Sequence, residues 1–367
     1  MTITKGFQPD YCVAPGEVLE EYLDTRGFTK AGFARDCGVS SKHIHQILNG
    51  RAALTPKFSM RISRVLHTSP ELWNNMEANY RLRFARKQEE DEFSQQAEWA
   101  REFDVSALVQ RGFIKKPGND AEKIDALLCF FGVGTIDAWS QEYGQRLLAH
   151  SRQSRTLKSD KKAVATWLRI GELRAQSVET APYDKTDFQE ALQQMRTLTG
   201  TDPDTFQQKL VDVCAKNGVA VVFEPEIKGT RLSGATRWLK PEKALIMLSL
   251  RHKTDDHFWF TFFHEAAHIL LHGKTQVFID ESDGAMNKKE AEADEWAEDF
   301  LIPRKEYETF VDKGRFDRKN IKIFAREQGV APGIVLGRLQ KEKLVAWQHK
   351  DNDLKRRFEF REEKAAV

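Results

Sequence analysis

Apolar positions recur every three or four residues along most of this chain, which predicts a mainly helical protein. The first such segments lie within residues 11–86 and are short. Helices are predicted to begin near Pro15, Lys30 and Ser41, and each is closed by glycine or asparagine. Five helices in so short a stretch indicate a compact N-terminal domain.

The third of these helices has one apolar face and one polar face. Its inward residues are Ile44, Ile47 and Leu48. Either Ser40 or Ser41 caps its start, and Gly38 makes the sharp turn in front of it. A helix, a glycine turn and a second helix with a polar outer face are typical of a helix-turn-helix.

The periodicity changes beyond residue 200. Three short runs, 219–223, 232–239 and 244–250, have the length and composition of strands. A helix follows, with Thr254 as its expected cap and acidic residues in its first turn. Residues 321–344 resemble a further helix-turn-helix, which we interpret as a helical cap on this domain rather than a second DNA reader, because Gly333 and Gly337 weaken a recognition helix.

These patterns predict a mainly α fold with a small β-sheet. We expect a five-helix helix-turn-helix domain over residues 11–86 and a helical connector over 87–200. An α+β domain should follow over 201–347, and a charged tail, expected to be mobile, over 348–367.

Composition narrows the class of protein. Of 367 residues, 40% are hydrophobic and 31% charged, which is sufficient for a sizeable core. The net charge of +2 means that any nucleic-acid binding depends on a local basic surface. Four cysteines far apart argue against disulfides and a cysteine-based zinc site. With no apolar run near the ~20 residues of a membrane span, we expect a cytoplasmic protein without membrane partners.

The predicted helix after residue 254 carries a candidate metal site. His264 and His268 are spaced so that both imidazoles lie on one side of a helix and reach one ion. Glu265, beside them, is placed to take a proton from water. This is the H-E-x-x-H arrangement of zinc peptidases.

Two histidines leave a zinc ion short of a third protein ligand. His272 lies too far along the same helix to share the ion. On the acidic helix that follows, Glu290 projects into the apolar face, where a bare carboxylate is costly unless it has a partner. We therefore predict Glu290 as the third ligand, with Glu292 as the alternative, and Asp294 as a residue that orients a ligand histidine. Zn(II) suits this set, and Mn(II) is also possible.

The N-terminal segment resembles the Xre/Cro-type helix-turn-helix, and in particular HigA-like antitoxins. The motif residues are Phe33-Ala34-x-x-x-Gly38-Val39-Ser40 and Ile44-x-x-Ile47-Leu48-Asn49-Gly50, flanked by Pro15-Gly16-Glu17-Val18-Leu19 and Thr68-Ser69-Pro70-Glu71-Leu72-Trp73. The resemblance implies binding of double-stranded operator DNA as a homodimer, with the third helix in the major groove. The residues expected to contact DNA are Ser41, Lys42, His43, His45, Gln46, Asn49 and Arg51. Lys42, Arg51, Lys57 and Arg61 are candidates for phosphate contacts.

The C-terminal segment is similar to the ImmA/IrrE metallopeptidases. The resemblance rests on His264-Glu265-x-x-His268 and on Glu290-x-x-Ala293-Asp294-x-Trp296-Ala297 with Leu301-Ile302-Pro303. Trp296 replaces the usual phenylalanine. The resemblance implies a zincin-like fold and regulated proteolysis of a transcriptional repressor.

The hypothesis from sequence is a DNA-binding regulator with a conditional, zinc-dependent endopeptidase. Its substrate is a partner repressor, a toxin or the chain itself. The alternative is an antitoxin-like regulator whose metal site is structural or sensory. A third reading is a peptidase whose N-terminal domain docks protein instead of DNA.

Overall fold

The computed structural model describes residues 13–144, 160–273, 277–279 and 288–360. The described residues divide into two compact units. One lies within Met1–Glu98 and Pro117–Ile124, and the other within Trp99–Lys116 and Asp125–Val367. Among the helices of these ranges, none is long and apolar enough to cross a membrane.

The first unit contains the five predicted helices. They are α1 (Pro15–Thr25), α2 (Lys30–Asp36), α3 (Ser41–Leu48), α4 (Pro56–Leu66) and α5 (Pro70–Gln95). Side-chain oxygens cap the starts of α2 to α5, through Thr29, Ser40, Thr55 and Ser69. Ser40, and not Ser41, therefore caps the third helix. The predicted boundary between residues 86 and 87 lies inside the continuous helix α5.

One apolar core holds these helices together. Phe33, Ile44, Ile62 and Trp73 are fully buried within it. Gly16 permits close contact between α1 and α3, because a Cβ there would lie 2.3 Å from the carbonyl oxygen of Ile47. The helix-turn-helix geometry thus depends on tight backbone packing as well as on apolar spacing.

Short helices follow α5. They are α6 (Ala97–Arg101), α7 (Val105–Gln110), α8 (Asp120–Phe131), α9 (Ile136–Trp139) and a π-helical turn (Ser140–Gly144). The second unit continues with α10 (Lys161–Gln176), α11 (Lys185–Thr197), a 3₁₀ turn (Leu198–Gly200) and α12 (Pro203–Lys216). After the sheet come α13 (Asp255–Leu271), α14 (Lys288–Leu301), α15 (Arg304–Asp312), α16 (Arg318–Gln328), α17 (Pro332–Lys341) and a 3₁₀ turn (Asn352–Leu354).

The sheet has four strands where the sequence predicted three. They are β1 (Val219–Phe223), β2 (Gly234–Lys240), β3 (Lys243–Leu248) and β4 (Val277–Ile279), in the order β1-β3-β2-β4. β3 pairs parallel with β1 and antiparallel with β2. β4 pairs antiparallel with β2, and its three residues are too few to give a periodic signal in the sequence. The mainly α fold with a small sheet is confirmed.

Helix α13 is central to the second unit. Its aromatic residues Trp259, Phe262 and Phe263 are fully buried in the main core, between the sheet and the later helices. Asp255 and Asp256 at its start are also buried. The expected cap is absent, since the Thr254 side chain makes no cap hydrogen bond. Instead Asp255 pairs with Arg356 at 3.3 Å and Asp256 with Lys355 at 2.6 Å.

The prediction of a mobile tail is wrong for residues 348–360. Leu354 and Phe358 are buried in the main core, and Arg357 forms a bridge with Thr254. The Arg356 guanidinium also donates to the carbonyl oxygens of residues 199–201. Lys355 and Arg356 of the tail neutralise the buried Asp256 and Asp255. The charged residues on which the prediction of a mobile tail was based therefore have partners inside the fold.

Helix α17 packs on the start of α13 through two glycines. A Cβ at Gly333 would lie 2.4 Å from Asp255, and one at Gly337 would lie 2.4 Å from Asp256. These glycines are therefore required by close packing. This contact agrees with the interpretation of residues 321–344 as a cap on the α+β domain.

Candidate functional site

Three nitrogen and oxygen atoms converge where α13 crosses α14. The Nε2 atoms of His264 and His268 are 3.0 Å apart. Glu290 Oε2 from α14 lies 3.1 Å from the first and 3.4 Å from the second. Helical spacing aligns the two imidazoles, and packing of α14 across α13 adds the carboxylate. The structure thus brings together the three residues predicted as metal ligands.

The donor set fits a divalent cation. Bonds of about 2.0–2.1 Å to a tetrahedral zinc ion place its ligand atoms about 3.3 Å from one another, which is close to the separations found here. His264 Nδ1 donates to Asp294 Oδ1 at 2.9 Å, which leaves the Nε2 lone pair directed toward the other two ligand atoms. Two imidazoles and one carboxylate are also the ligand types that zinc prefers in catalytic sites.

Asp294 contacts the ligand histidine His264 on the ring nitrogen that faces away from the three ligand atoms, as predicted from the sequence. Its other oxygen is 3.5 Å from Lys341 on α17, and Lys341 also binds Glu298 at 2.8 Å. A chain of contacts from Lys341 through Asp294 therefore fixes the His264 ring.

His272 and Glu292 support the second histidine. His268 Nδ1 lies 2.9 Å from His272 Nδ1, and His272 Nε2 lies 3.3 Å from Glu292 Oε2. With the Glu292 carboxylate accepting a hydrogen bond from His272 Nε2–H, His272 Nδ1 accepts one from His268 Nδ1–H, and this directs the lone pair of His268 Nε2 toward the site. Glu292 thus contacts a histidine outside the three-atom group. The i, i+4 spacing of His272 was the signal for this contact.

Glu265 is fully buried on the side of α13 that faces the sheet. Thr236 on β2 donates its hydroxyl to Glu265 Oε2 at 2.6 Å. Gly234, at the start of the same strand, allows this approach, because a Cβ there would lie 2.6 Å from Glu265 Oε1. Sequence reasoning did not identify Thr236 or Gly234, since nothing in the local pattern links this strand to the helix.

The electrostatics keep the ligands in their metal-binding forms. Burial lowers the pKa of His268 to about 4. Burial alone would raise the pKa of Glu290, but its hydrogen bonds with His264 and His268 bring it down to about 2. At neutral pH, therefore, His268 is neutral and Glu290 is ionised.

In the first unit, α3 presents a polar surface. Six of the seven residues predicted to contact DNA are exposed: Ser41, Lys42, His45, Gln46, Asn49 and Arg51. His43 is half-buried, and its ring packs edge-on against Phe58 at 5.6 Å. Arg61 donates to the carbonyl oxygens of Cys37 and Gly38, so it stabilises the turn before α3.

Comparison with known protein families identifies both parts of the chain. Residues 19–73 match the family described as helix-turn-helix, and residues 214–340 match the IrrE N-terminal-like domain of the M78 peptidase family. The chain belongs to the helix-turn-helix transcriptional regulators, and an IrrE N-terminal-like domain is fused to its DNA-binding domain. Both resemblances seen in the sequence are confirmed.

Individual relatives match the N-terminal unit. An uncharacterised HTH-type transcriptional regulator, YddM of Escherichia coli K12, is 33% identical over 73 residues, which are 20% of this chain and 78% of that protein. Virulence-associated protein I of Dichelobacter nodosus is 30% identical over 86 residues, 23% of this chain and 80% of that protein. The solved structure of the antitoxin GraA is 35% identical, with a TM-score of 0.22, covering 23% of this chain and 91% of that one.

Proposed function

We propose that this regulator is also a zinc-dependent endopeptidase that cleaves a gene-regulatory protein, either a partner repressor or toxin or the chain itself. The observation that carries the proposal is the placement of Glu265. A purely structural metal site needs three or four ligands and no further acid. Here a buried carboxylate that is not part of the ligand group adjoins it and is oriented by Thr236.

Each residue has a distinct task in this proposal. His264, His268 and Glu290 hold the ion, and a zinc ion bound there supplies the Lewis acidity needed to activate water and polarise a peptide carbonyl. Glu265 accepts a proton from water and passes it to the leaving amine. Thr236, on β2, donates a hydrogen bond to one carboxylate oxygen of Glu265. This bond fixes the orientation of the carboxylate and therefore of its other oxygen. Asp294 and His272 keep the two imidazoles oriented.

The DNA-binding domain narrows the choice of substrate. A peptidase fused to an operator-binding helix-turn-helix is concentrated where repressors are bound. We propose that His45, Gln46 and Asn49 read base edges in the major groove. Lys42, Arg51 and Lys57 contact phosphates, which fix position without specifying sequence. Binding as a homodimer to a palindromic operator is part of this proposal.

The test is cleavage by the full-length, zinc-loaded protein. It is incubated with the products of neighbouring genes and with DNA from its own promoter, and fragments are identified by mass spectrometry. We expect wild-type protein to produce a defined cut that Glu265→Gln abolishes without loss of zinc. Glu295→Gln is the matched control, because Glu295 lies on α14 but is exposed and paired with Arg304.

Two results would contradict the proposal. One is a Glu265→Gln protein that produces the same fragments at the wild-type rate. The other is a complete absence of fragments together with loss of operator binding when zinc is removed. That second result would favour the alternative, an antitoxin-like regulator with a structural or sensory metal site.

A further inference from the structure

The second half of α5 extends beyond the packed core of the first unit. The buried residues of this 26-residue helix are Trp73 and Glu77, both in its first third. Every residue from Phe84 to Glu92 is exposed. Isolated helices shorter than about 12–15 residues are only marginally stable in water, so a bare helical stretch of this length gains stability from a partner.

One face of this stretch carries a short row of residues suited to helix pairing. Leu82, Arg86, Glu89 and Phe93 are spaced by four, three and four residues. At about 100° per residue, these four positions lie within about 60° of one another around the helix. Leu82 is 53% exposed and Phe93 is half-buried. Paired helices pack along rows with this spacing, and we call these four residues the α5 seam.

The charges along the same stretch are separated by sign. Residues 81–87 include four basic side chains and no acidic one, whereas residues 89–92 are all acidic. A second copy that lies antiparallel brings the acidic part of one helix beside the basic part of the other. Each copy then uses the same surface, as the contact in a two-fold symmetric dimer requires. The charge distribution of α5 is therefore complementary to itself.

A single antiparallel register satisfies both the seam and the charges. When Arg86 of one copy lies beside Glu89 of the other, the two-fold axis passes through the middle of the exposed stretch. Leu82 of each copy then lies beside Phe93 of the other. This register gives two apolar contacts at the ends of the seam and two charge-assisted Arg–Glu contacts at its centre.

The opposite side of α5 has a different character. Phe84, Lys87 and Asp91 lie there, more than about 120° from the centre of the seam. The Phe84 ring stacks with Tyr80 of the same helix, with ring centroids 6.4 Å apart. The exposure of Phe84 therefore has a local explanation, and the two charged residues provide controls away from the seam.

We propose that the α5 seam pairs with the same seam of a second copy of this chain, antiparallel, and that this contact holds the homodimer together. The inference rests on the homodimer in the proposed function and not on the peptidase activity. A two-fold axis at α5 also relates the two α3 helices by symmetry, as binding to a palindromic operator requires. The dimer in turn gives the exposed half of α5 tertiary support.

Charge reversal tests the register directly. The measurement is the dimer dissociation constant of the full-length protein at about 0.15 M salt, by sedimentation velocity. Arg86→Glu opposes two pairs of glutamates across the axis, and Glu89→Arg opposes two pairs of arginines. We expect each variant alone to dimerise about 10-fold more weakly than the wild type, or worse. An equimolar mixture of the two variants should dimerise within about 3-fold of the wild type, since every glutamate then faces an arginine.

The mixture also excludes an effect on the helix alone. Arg86 and Glu89 lie one turn apart in the same chain, so each reversal changes a contact within α5 as well, but mixing cannot restore that contact. Lys87→Glu and Asp91→Arg make matching charge changes on the opposite side of α5. They should leave the dissociation constant within about 2-fold of the wild-type value, because salt screens charges at that distance.

The outcomes separate the seam from the homodimer itself. A wild-type dimer that neither seam variant weakens would overturn the inference and leave the homodimer in place. A mixture no tighter than the separate variants would overturn the antiparallel register. A wild type that stays monomeric at about 100 μM would contradict both the seam and the homodimer.

Discussion

Gly234 offers a sharp test of how the sheet positions Glu265. In Gly234→Ala the new Cβ lies 2.6 Å from both Glu265 Oε1 and Thr261 Cγ2, and 2.9 Å from Glu265 Cγ. Ordinary contacts begin at 3.4 Å, so β2 or the Glu265 side chain must move by about 0.8 Å. Neither β2 nor Glu265 can move easily, because both the strand and the helix that carries Glu265 are buried. Overpacking of this kind costs about 1–3 kcal/mol of unfolding free energy.

The effect on function should exceed the effect on stability. A displacement near 1 Å at a reacting group costs about 100-fold in rate, so the cleavage proposed above should fall by that factor. Zinc affinity should change little, because His264, His268 and Glu290 meet on the α14 side of α13. Urea unfolding, zinc competition with a chelator and fragment analysis measure the three quantities separately.

Gly200→Ala is the control, since a Cβ there meets no atom within 4 Å. It should change the unfolding free energy by about 0.5 kcal/mol or less. If Gly234→Ala unfolds and cleaves like this control, then β2 does not approach Glu265 closely, and the account of how Glu265 is oriented is wrong.

Four further predictions address the surrounding structure. Asp294→Ala should weaken zinc binding about 10- to 100-fold in a chelator competition, because His264 loses the acceptor that orients its ring. Arg356→Ala should lower the unfolding free energy by about 3 kcal/mol, since it leaves buried Asp255 without its cation, whereas the exposed neighbour Arg357→Ala should have little effect. Burial and the nearby Asp256 raise the pKa of Asp255 from 3.8 to about 6. The stabilisation that this raised pKa provides is therefore complete below pH 3.8 and is lost as pH rises through 6. Between these two pH values the unfolding free energy of the wild type should fall relative to that of Asp255→Asn. Arg51→Ala should weaken binding to all DNA sequences and reduce the slope of log affinity against log salt by about 1; an unchanged slope would exclude a phosphate contact.

Local patterns were sufficient for the helix-turn-helix. The two helices of the motif, α2 and α3, are short, begin at side-chain caps and each bury one face in the N-terminal core. Apolar spacing therefore predicted which side of α3 remains polar. His43 is the exception, because the ring of Phe58 comes from another helix and only packing brings it there.

The strands and the tail show the limits of this approach. The three longer strands have enough apolar residues to be recognised, but the short strand β4 does not. The tail has the composition of a solvent-exposed segment, yet Arg356 and Lys355 are held by aspartates about one hundred residues earlier in the chain. Such long-range ion pairs leave no trace in local periodicity.

The sequence by itself determined the helix-turn-helix and the pair of histidines beside Glu265, because spacing along one helix decides which side chains share a face. It also made Glu290 the favoured third ligand, since a carboxylate on an apolar face needs a partner. The tertiary structure alone decided which carboxylate meets the histidines and how Gly234 and Thr236 position Glu265. These features depend on how distant segments cross when the core is packed, and the spacing of residues within one helix does not specify that crossing.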